Sequence, residues 1–338
     1  MRQQKLLAVF ALALSALFLP PAPAQADGPV RIRAAWINTP ASLIPIMFEP
    51  KGIAKHDGVS YKFEPVYIAN SPTQITAFAA GDLEIATLNF TSIPFAILNA
   101  GLTDLRIIAD ETQEGFDDNA TIQYAVLKDG PIKKVEDLKG KNVAVIGIGA
   151  ATDIAMRAYL LNYGMHAGQD YNEVEVRPPN MMAMLADKKV EMIGGAVPFT
   201  YTPEFLNTTR TLFTMKQAMH GTELSVWVAR AGFIKAHRAA LVDLLEDTVR
   251  AYRWFADPAN HAEAIAILAR AVKQPPEQLT TWAFTKRDYY RSLDGAPNLE
   301  VLQHNIDTVE KLGFIKSDVV VKNYADLSLV NEAAARLK

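Results

Sequence analysis

The stretch from Lys139 to Asp153, KGKNVAVIGIGAATD, places the tightest local constraint on this chain. Val143 to Ile146 is a short apolar run rich in β-branched residues, the pattern of a buried strand. Gly147 and Gly149 punctuate its end. Ala155, Ala158, Tyr159 and Leu160 then recur at helical spacing, so a helix opens at Ala151 or Thr152. A strand feeding through small residues into a helix leaves backbone N–H groups without intrahelical partners. With the helix dipole behind them these amides favour an anion, and the small side chains let a ligand approach the backbone closely. The same residues also serve an ordinary tight βα turn. Gly147 and Gly149 match part of the dinucleotide fingerprint, but Thr152 stands where its third glycine or alanine belongs.

The rest of the chain alternates in the same way. Strands are expected over 31–37, 61–68, 83–88 and 105–110, each closed by a polar turn and most followed by a helix. Pro45 and Pro50 restrict the region after the first strand to an irregular or short helix. Ser71 is a natural N-cap with Pro72 at the first helical position. A second block has strands over 121–127, 143–146, 173–176 and 190–194, with Arg177-Pro178-Pro179-Asn180 as a turn before a helix over 181–186. Ala80-Gly81-Asp82-Leu83-Glu84-Ile85 echoes Asp187-Lys188-Lys189-Val190-Glu191-Met192, which suggests two similar lobes. After a strand over 224–229, helices dominate: Leu241, Leu244, Leu245, Val249, Tyr252 and Phe255 share one face. This is an α/β chain with largely parallel sheets.

Composition narrows the function. At 338 residues the chain can form two core-bearing domains, and a net charge of -3 without a basic run gives nucleic acid no footing. The absence of cysteine excludes disulfides, thiolate metal sites, a cysteine nucleophile and lipid attachment through an N-terminal cysteine. The six histidines are scattered, with no His-Glu-x-x-His and no Gly-x-Ser-x-Gly, so no catalytic residue, metal or cofactor is expected. Arg2 and Lys5, the apolar run Leu6 to Leu19 and the small residues Ala22 to Ala26 form a signal peptide. Cleavage is expected after Ala26, with Ala24 as second choice, giving a soluble protein in the periplasm.

Three stretches carry a family resemblance: Asn70 to Asn89; Leu127 to Val145, which includes Asp129-Gly130-Pro131-Ile132-Lys133-Lys134-Val135-Glu136-Asp137-Leu138-Lys139-Gly140-Lys141; and Leu312-Gly313-Phe314-Ile315 with the tail after it. They resemble the exported solute-binding proteins of ABC importers, in the group that handles sulfonates, taurine, nitrate and thiamine-pyrimidine precursors. The resemblance implies a two-lobed type II periplasmic-binding-protein fold with two crossover strands. Residues 1–26 would be the signal peptide, 27–120 the first part of lobe 1, 121–229 lobe 2 with the hinge strands, and 230–338 a mostly helical return to lobe 1. It also implies a monomer that binds a small organic anion and docks on ABC permease subunits.

Ligands of such sheets sit outside the carboxyl ends of the strands. The candidate site is therefore Asn38, Thr39, Ser71, Pro72, Thr73, Asn89, Phe90, Thr91 and Ser92 on one lobe, facing Gly149, Ala150, Ala151, Thr152, Pro198 and Phe199 on the other. Phe90 and Phe199 would cover an apolar body. Asp153 would repel an anion placed too close. Glu111 or Asp117 near the cleft would favour a cationic or hydroxyl group. Trp36 and Trp227 are expected in the core. An exported enzyme or a ligand-presenting sensor on the same scaffold are the alternatives.

Overall fold

A computed structural model describes residues 28–338. The expected signal peptide, residues 1–26, lies outside the described residues. Lobe 1 opens with β1 (Val30–Trp36), β2 (Tyr61–Tyr67), α1 (Ser71–Ala80), β3 (Ala86–Asn89), α2 (Ser92–Leu98) and β4 (Leu105–Glu114). Lobe 2 follows as β5 (Gln123–Leu127), β6 (Asn142–Val145), α3 (Ala151–Leu161), β7 (Asn172–Glu175), α4 (Pro178–Ala186), β8 (Met192–Gly195), α5 (Pro203–Thr208), β9 (Thr209–Thr214) and α6 (Met215–Met219). The chain then returns through β10 (Thr222–Arg230), α7 (Ala231–Ala256), α8 (His261–Val272), α9 (Leu299–Lys311) and α10 (Ser328–Ala335).

The two sheets share one plan. In lobe 1 the β1–β2 pair joins β3-β10-β4 through a parallel bridge between Ala34 and Ile85, giving the order β2-β1-β3-β10-β4. In lobe 2 the order is β7-β6-β8-β5-β9. Each sheet contains one antiparallel strand contributed from across the hinge, β10 in lobe 1 and β5 in lobe 2. The echo between Ala80–Ile85 and Asp187–Met192 is thus structural: both segments join a helix to the strand that stands third in its sheet, β3 in lobe 1 and β8 in lobe 2.

The structure corrects several boundaries. Asn70, not Ser71, caps α1: its side chain accepts from the Thr73 amide at 2.9 Å and the Thr73 hydroxyl at 2.8 Å. Pro178 and Pro179, read as a turn, form the first turn of α4, where their missing N–H groups leave no bond unmade. Residues 42–51 form turns rather than a helix. β4 runs past its expected end at Asp110 and continues to Glu114. β9 went unrecognised because Thr209-Arg210-Thr211 has little apolar character; its pairing with β5 defines it. The return to lobe 1 is also incomplete. α7, α8 and α10 belong there, but α9 packs on both β10 and α3, and Phe314 after it lies against Gly149.

Candidate functional site

Strand direction locates the cleft. β1, β2 and β3 run parallel, and β4 shares their direction because both β3 and β4 pair antiparallel with β10. The carboxyl edge of lobe 1 therefore carries Trp36, Tyr67, Asn89 and Glu114, and β10 begins there with Thr222 opposite Glu114. In lobe 2 the parallel strands β6, β7 and β8 end at Val145, Glu175 and Gly195, and Gln123 at the start of β5 pairs with both Gly195 and Thr214. The links 115–122 and 215–221 thus connect carboxyl edge to carboxyl edge. Two short tethers of this kind turn the edges toward one another, which is where ligands bind in such sheets.

All the candidate residues lie at these edges, but with different prospects. Asn38 is exposed, and the Thr39 hydroxyl is buried without a partner. Ser71 is half-buried, Pro72 and Thr73 are exposed, and Asn89 is half-buried opposite Ser225. Thr91 is buried at the start of α2 and Ser92 is half-buried. Phe90 requires correction: its side chain is fully buried in the main core and offers no cover to a ligand. Phe199 is 39% exposed in a single 3-10 turn after β8, with Pro198 before it.

The glycine turn is more occupied than its sequence suggests. Asp153 is fully buried, and its carboxylate accepts from the Gly149 amide at 2.7 Å while pairing with Arg157 at 3.0 Å. The Ile148 amide donates to Glu175 at 3.0 Å, the Ala150 amide donates to the Gly147 carbonyl, and Tyr124 donates to the Thr152 carbonyl at 2.5 Å. What remains for an anion is the first-turn amides of α3 at Ala151 and Thr152. Of the tryptophans, Trp227 is core, donating from Nε1 to Glu111. Trp36 is half-buried at the lobe 1 edge, with its ring 4.9 Å from Tyr67.

The hinge strands carry buried acids. Glu111 is 2% exposed, and burial pushes its carboxyl up to about 7. Burial likewise raises Asp110 to about 6 and Glu114 to about 7. Glu114 accepts from the Thr121 amide at 2.8 Å, the Thr121 hydroxyl at 2.6 Å and the Ile122 amide at 3.2 Å, so it staples both ends of the first link. Burial and the charge of Asp110 also hold the Glu223 carboxyl well above the usual range.

Sequence reasoning missed a cavity of about 600 Å³ beside the first link. α7 leaves the amino edge of lobe 1 after Arg230, and its Tyr252 hydroxyl reaches the Asp110 carbonyl at 3.0 Å, so its last turn arrives at the carboxyl edge. There Tyr252, Phe255 and Ala256 meet Phe284, Tyr290 and Arg291, with Asp117 and Asn119 contributed by the link. Of the residues singled out in sequence for the cleft only Asp117 lines it, and none of the strand-end candidates does. Its walls come from well-separated stretches, and only the run Tyr289-Tyr290-Arg291 hints at it in sequence. Elsewhere, His56, Asp243 and Glu246 hold ligand-capable atoms within 4.8 Å of one another. Arg336 already pairs with Asp243 at 2.8 Å and Arg250 with Glu246 at 2.6 Å, and these cations disfavour a metal ion.

Two α/β lobes of matching topology, tethered at facing carboxyl edges, define the two-lobed periplasmic-binding-protein fold. The chain belongs to the NMT1-like family, whose profile matches residues 26–269. Among solved structures it is similar to the periplasmic aliphatic sulphonate binding protein SsuA from Escherichia coli, at 17% identity and a TM-score of 0.68 over 88% of this chain and 92% of that one. It is similar to the periplasmic nitrate-binding protein NrtA from Synechocystis PCC 6803, at 18% identity and a TM-score of 0.69 over 92% and 89%. The desulfurization enzyme DSZB shares the fold at 15% identity and a TM-score of 0.63, over 91% of this chain and 100% of that one. No curated protein matches the chain in sequence.

Proposed function

We propose that the protein is the exported substrate-binding component of an ABC-type importer, which captures a small organic anion of the sulfonate or carboxylate class between its lobes and delivers it to a membrane permease. The observation that carries this reading is the pair of equivalent sheets whose carboxyl edges face each other across two short links. Such a hinge changes shape with little disturbance of either core, and a ligand that contacts both edges favours the closed form by its differential affinity. The sulfonate- and nitrate-binding relatives of the same fold support an anion as cargo and the periplasm as the compartment. Thr39, Ser71, Asn89 and the Ala151–Thr152 amides are the polar groups proposed to meet it, with Phe199 closing from lobe 2.

The test is to purify the protein natively, unfold it and identify what it releases by mass spectrometry. A stoichiometric organic anion supports the reading. The likeness to DSZB favours one second reading, an exported enzyme on this scaffold. Chemical change of the identified ligand on incubation with the purified protein would select it.

A further inference from the structure

The cavity beside the first link differs in character from the strand-end turns. Phe255 and Phe284 stand with ring centroids 5.0 Å apart and tilted by 38°, and Tyr252 and Tyr290 add to the same lining. At about 600 Å³ it lies in the usual range for small-molecule sites, far larger than a bare inorganic ion requires. Tilted aromatic walls complement another aromatic ring, which meets them edge to face or offset.

Its charge is equally specific. Lys286 and Asp117 sit at the rim and pair with each other at 3.6 Å. Arg291 lines the wall and forms no side-chain ion pair within 4.0 Å among the described residues. Its guanidinium is aimed by the loop after β1, donating from one terminal nitrogen to the Pro40 and Ala41 carbonyls, while its Nε is buried with no acceptor. With one terminal nitrogen committed to these carbonyls and Nε shut away from solvent, the other terminal nitrogen is the charged donor left for an acid group.

We infer that this cavity seats the body of the ligand, and that the ligand is an aromatic acid: a flat ring held among Tyr252, Phe255, Phe284 and Tyr290, with its carboxylate or sulfonate on Arg291 rather than on the Ala151–Thr152 amides. The inference rests on the receptor reading above and narrows its substrate class. Closure of the lobes over the link would then cover the open side of the ring.

Titration calorimetry of the purified chain tests this with benzoate and benzenesulfonate set against acetate, methanesulfonate and nitrate, and with benzamide as the uncharged ring. The aromatic acids are expected to bind at least tenfold more tightly than their aliphatic counterparts. Arg291→Gln should weaken the acids at least tenfold while leaving benzamide within about threefold, a split that a merely structural role for Arg291 would not produce. Ala256→Trp fills the cavity from an exposed position at the end of α7, and should abolish binding of the aromatic acids without lowering the melting temperature. It decides the matter if Arg291→Gln fails to fold. Tighter binding of methanesulfonate or nitrate than of the aromatic acids overturns the inference and leaves the receptor reading intact. Aromatic binding unchanged by Ala256→Trp also overturns it. Binding of no anion from any class removes both.

Discussion

The carboxylate of Asp153 accepts a hydrogen bond from the amide of Gly149 at 2.7 Å, closing from within the turn that the sequence offers to a ligand. On the other side of that turn, a Cβ on Gly149 would lie 3.2 Å from the Phe314 ring, and Gly149 itself sits at a φ of 80°. The glycine is needed for its left-handed backbone and for the close approach of a C-terminal aromatic that ties the tail to lobe 2. Gly149→Ala is expected to destabilise the protein by about 1–3 kcal/mol, measured by urea denaturation.

Glu114 links the end of β4 to the residues that open β5. Glu114→Ala strands two buried amides and a hydroxyl that it now satisfies, so a loss of about 2–3 kcal/mol is expected. Because these groups lie at the two ends of the first link, the variant should also speed amide exchange at Thr121 and Ile122 before the cores of the lobes open.

The buried acids of β4 set a pH dependence of definite sign. Their carboxyl pKa values in the folded state, about 6 for Asp110 and about 7 for Glu111 and Glu114, lie above the ordinary range near 4. The folded state therefore holds more protons than the unfolded one between about pH 4 and pH 7, and stability falls as pH rises through that window. Half-buried Asp137 and Asp170, whose pKa values are lowered by backbone hydrogen bonds, lose their contribution only under more acid conditions. Melting temperature without ligand should peak near pH 5 and decline toward pH 8. Glu111→Gln should flatten that decline. A melting temperature that rises steadily from pH 5 to pH 8 would contradict this assignment.

Tyr201 of lobe 2 stacks on Trp282 with ring centroids 5.7 Å apart and planes within 6°, and its hydroxyl donates to the Arg287 carbonyl at 3.3 Å. This contact joins the 3-10 turn holding Phe199 to the helical return on lobe 1, so it favours the closed arrangement. Tyr201→Ala should weaken ligand binding by roughly 3- to 10-fold through a faster dissociation rate, with the melting temperature of the ligand-free protein little changed. Stopped-flow dissociation measures it.

The sequence made the architecture legible because its determinants are local. The apolar run at Val143–Ile146, the two glycines after it and the helix opening at Ala151 or Thr152 each occupy a few adjacent positions, and the structure has them nearly where their chemistry puts them, with the strand ending at Val145 and the helix starting at Ala151. The edge proposed to meet a ligand follows from strand direction alone. The rest depends on which residues meet. Phe90 looks like ligand cover in sequence, but it follows β3 directly and is carried into the core. The role of Asp153 as partner to Gly149 and Arg157 reverses the reading of the turn, because a carboxylate in the first turn of a helix can fold back as easily as face outward. Arg291 and the cavity it lines arise from chain segments as distant as Leu43 and Leu293, and no short motif announces such a meeting.

Small-angle scattering recorded as the purified chain is titrated with its co-purifying anion tests whether the lobes close on a ligand. Saturation at one ligand per chain is expected, with a fall in the radius of gyration as the two carboxyl edges come together. A ligand that binds at full occupancy with the radius unchanged, in a chain whose links 115–122 and 215–221 are intact, would contradict it.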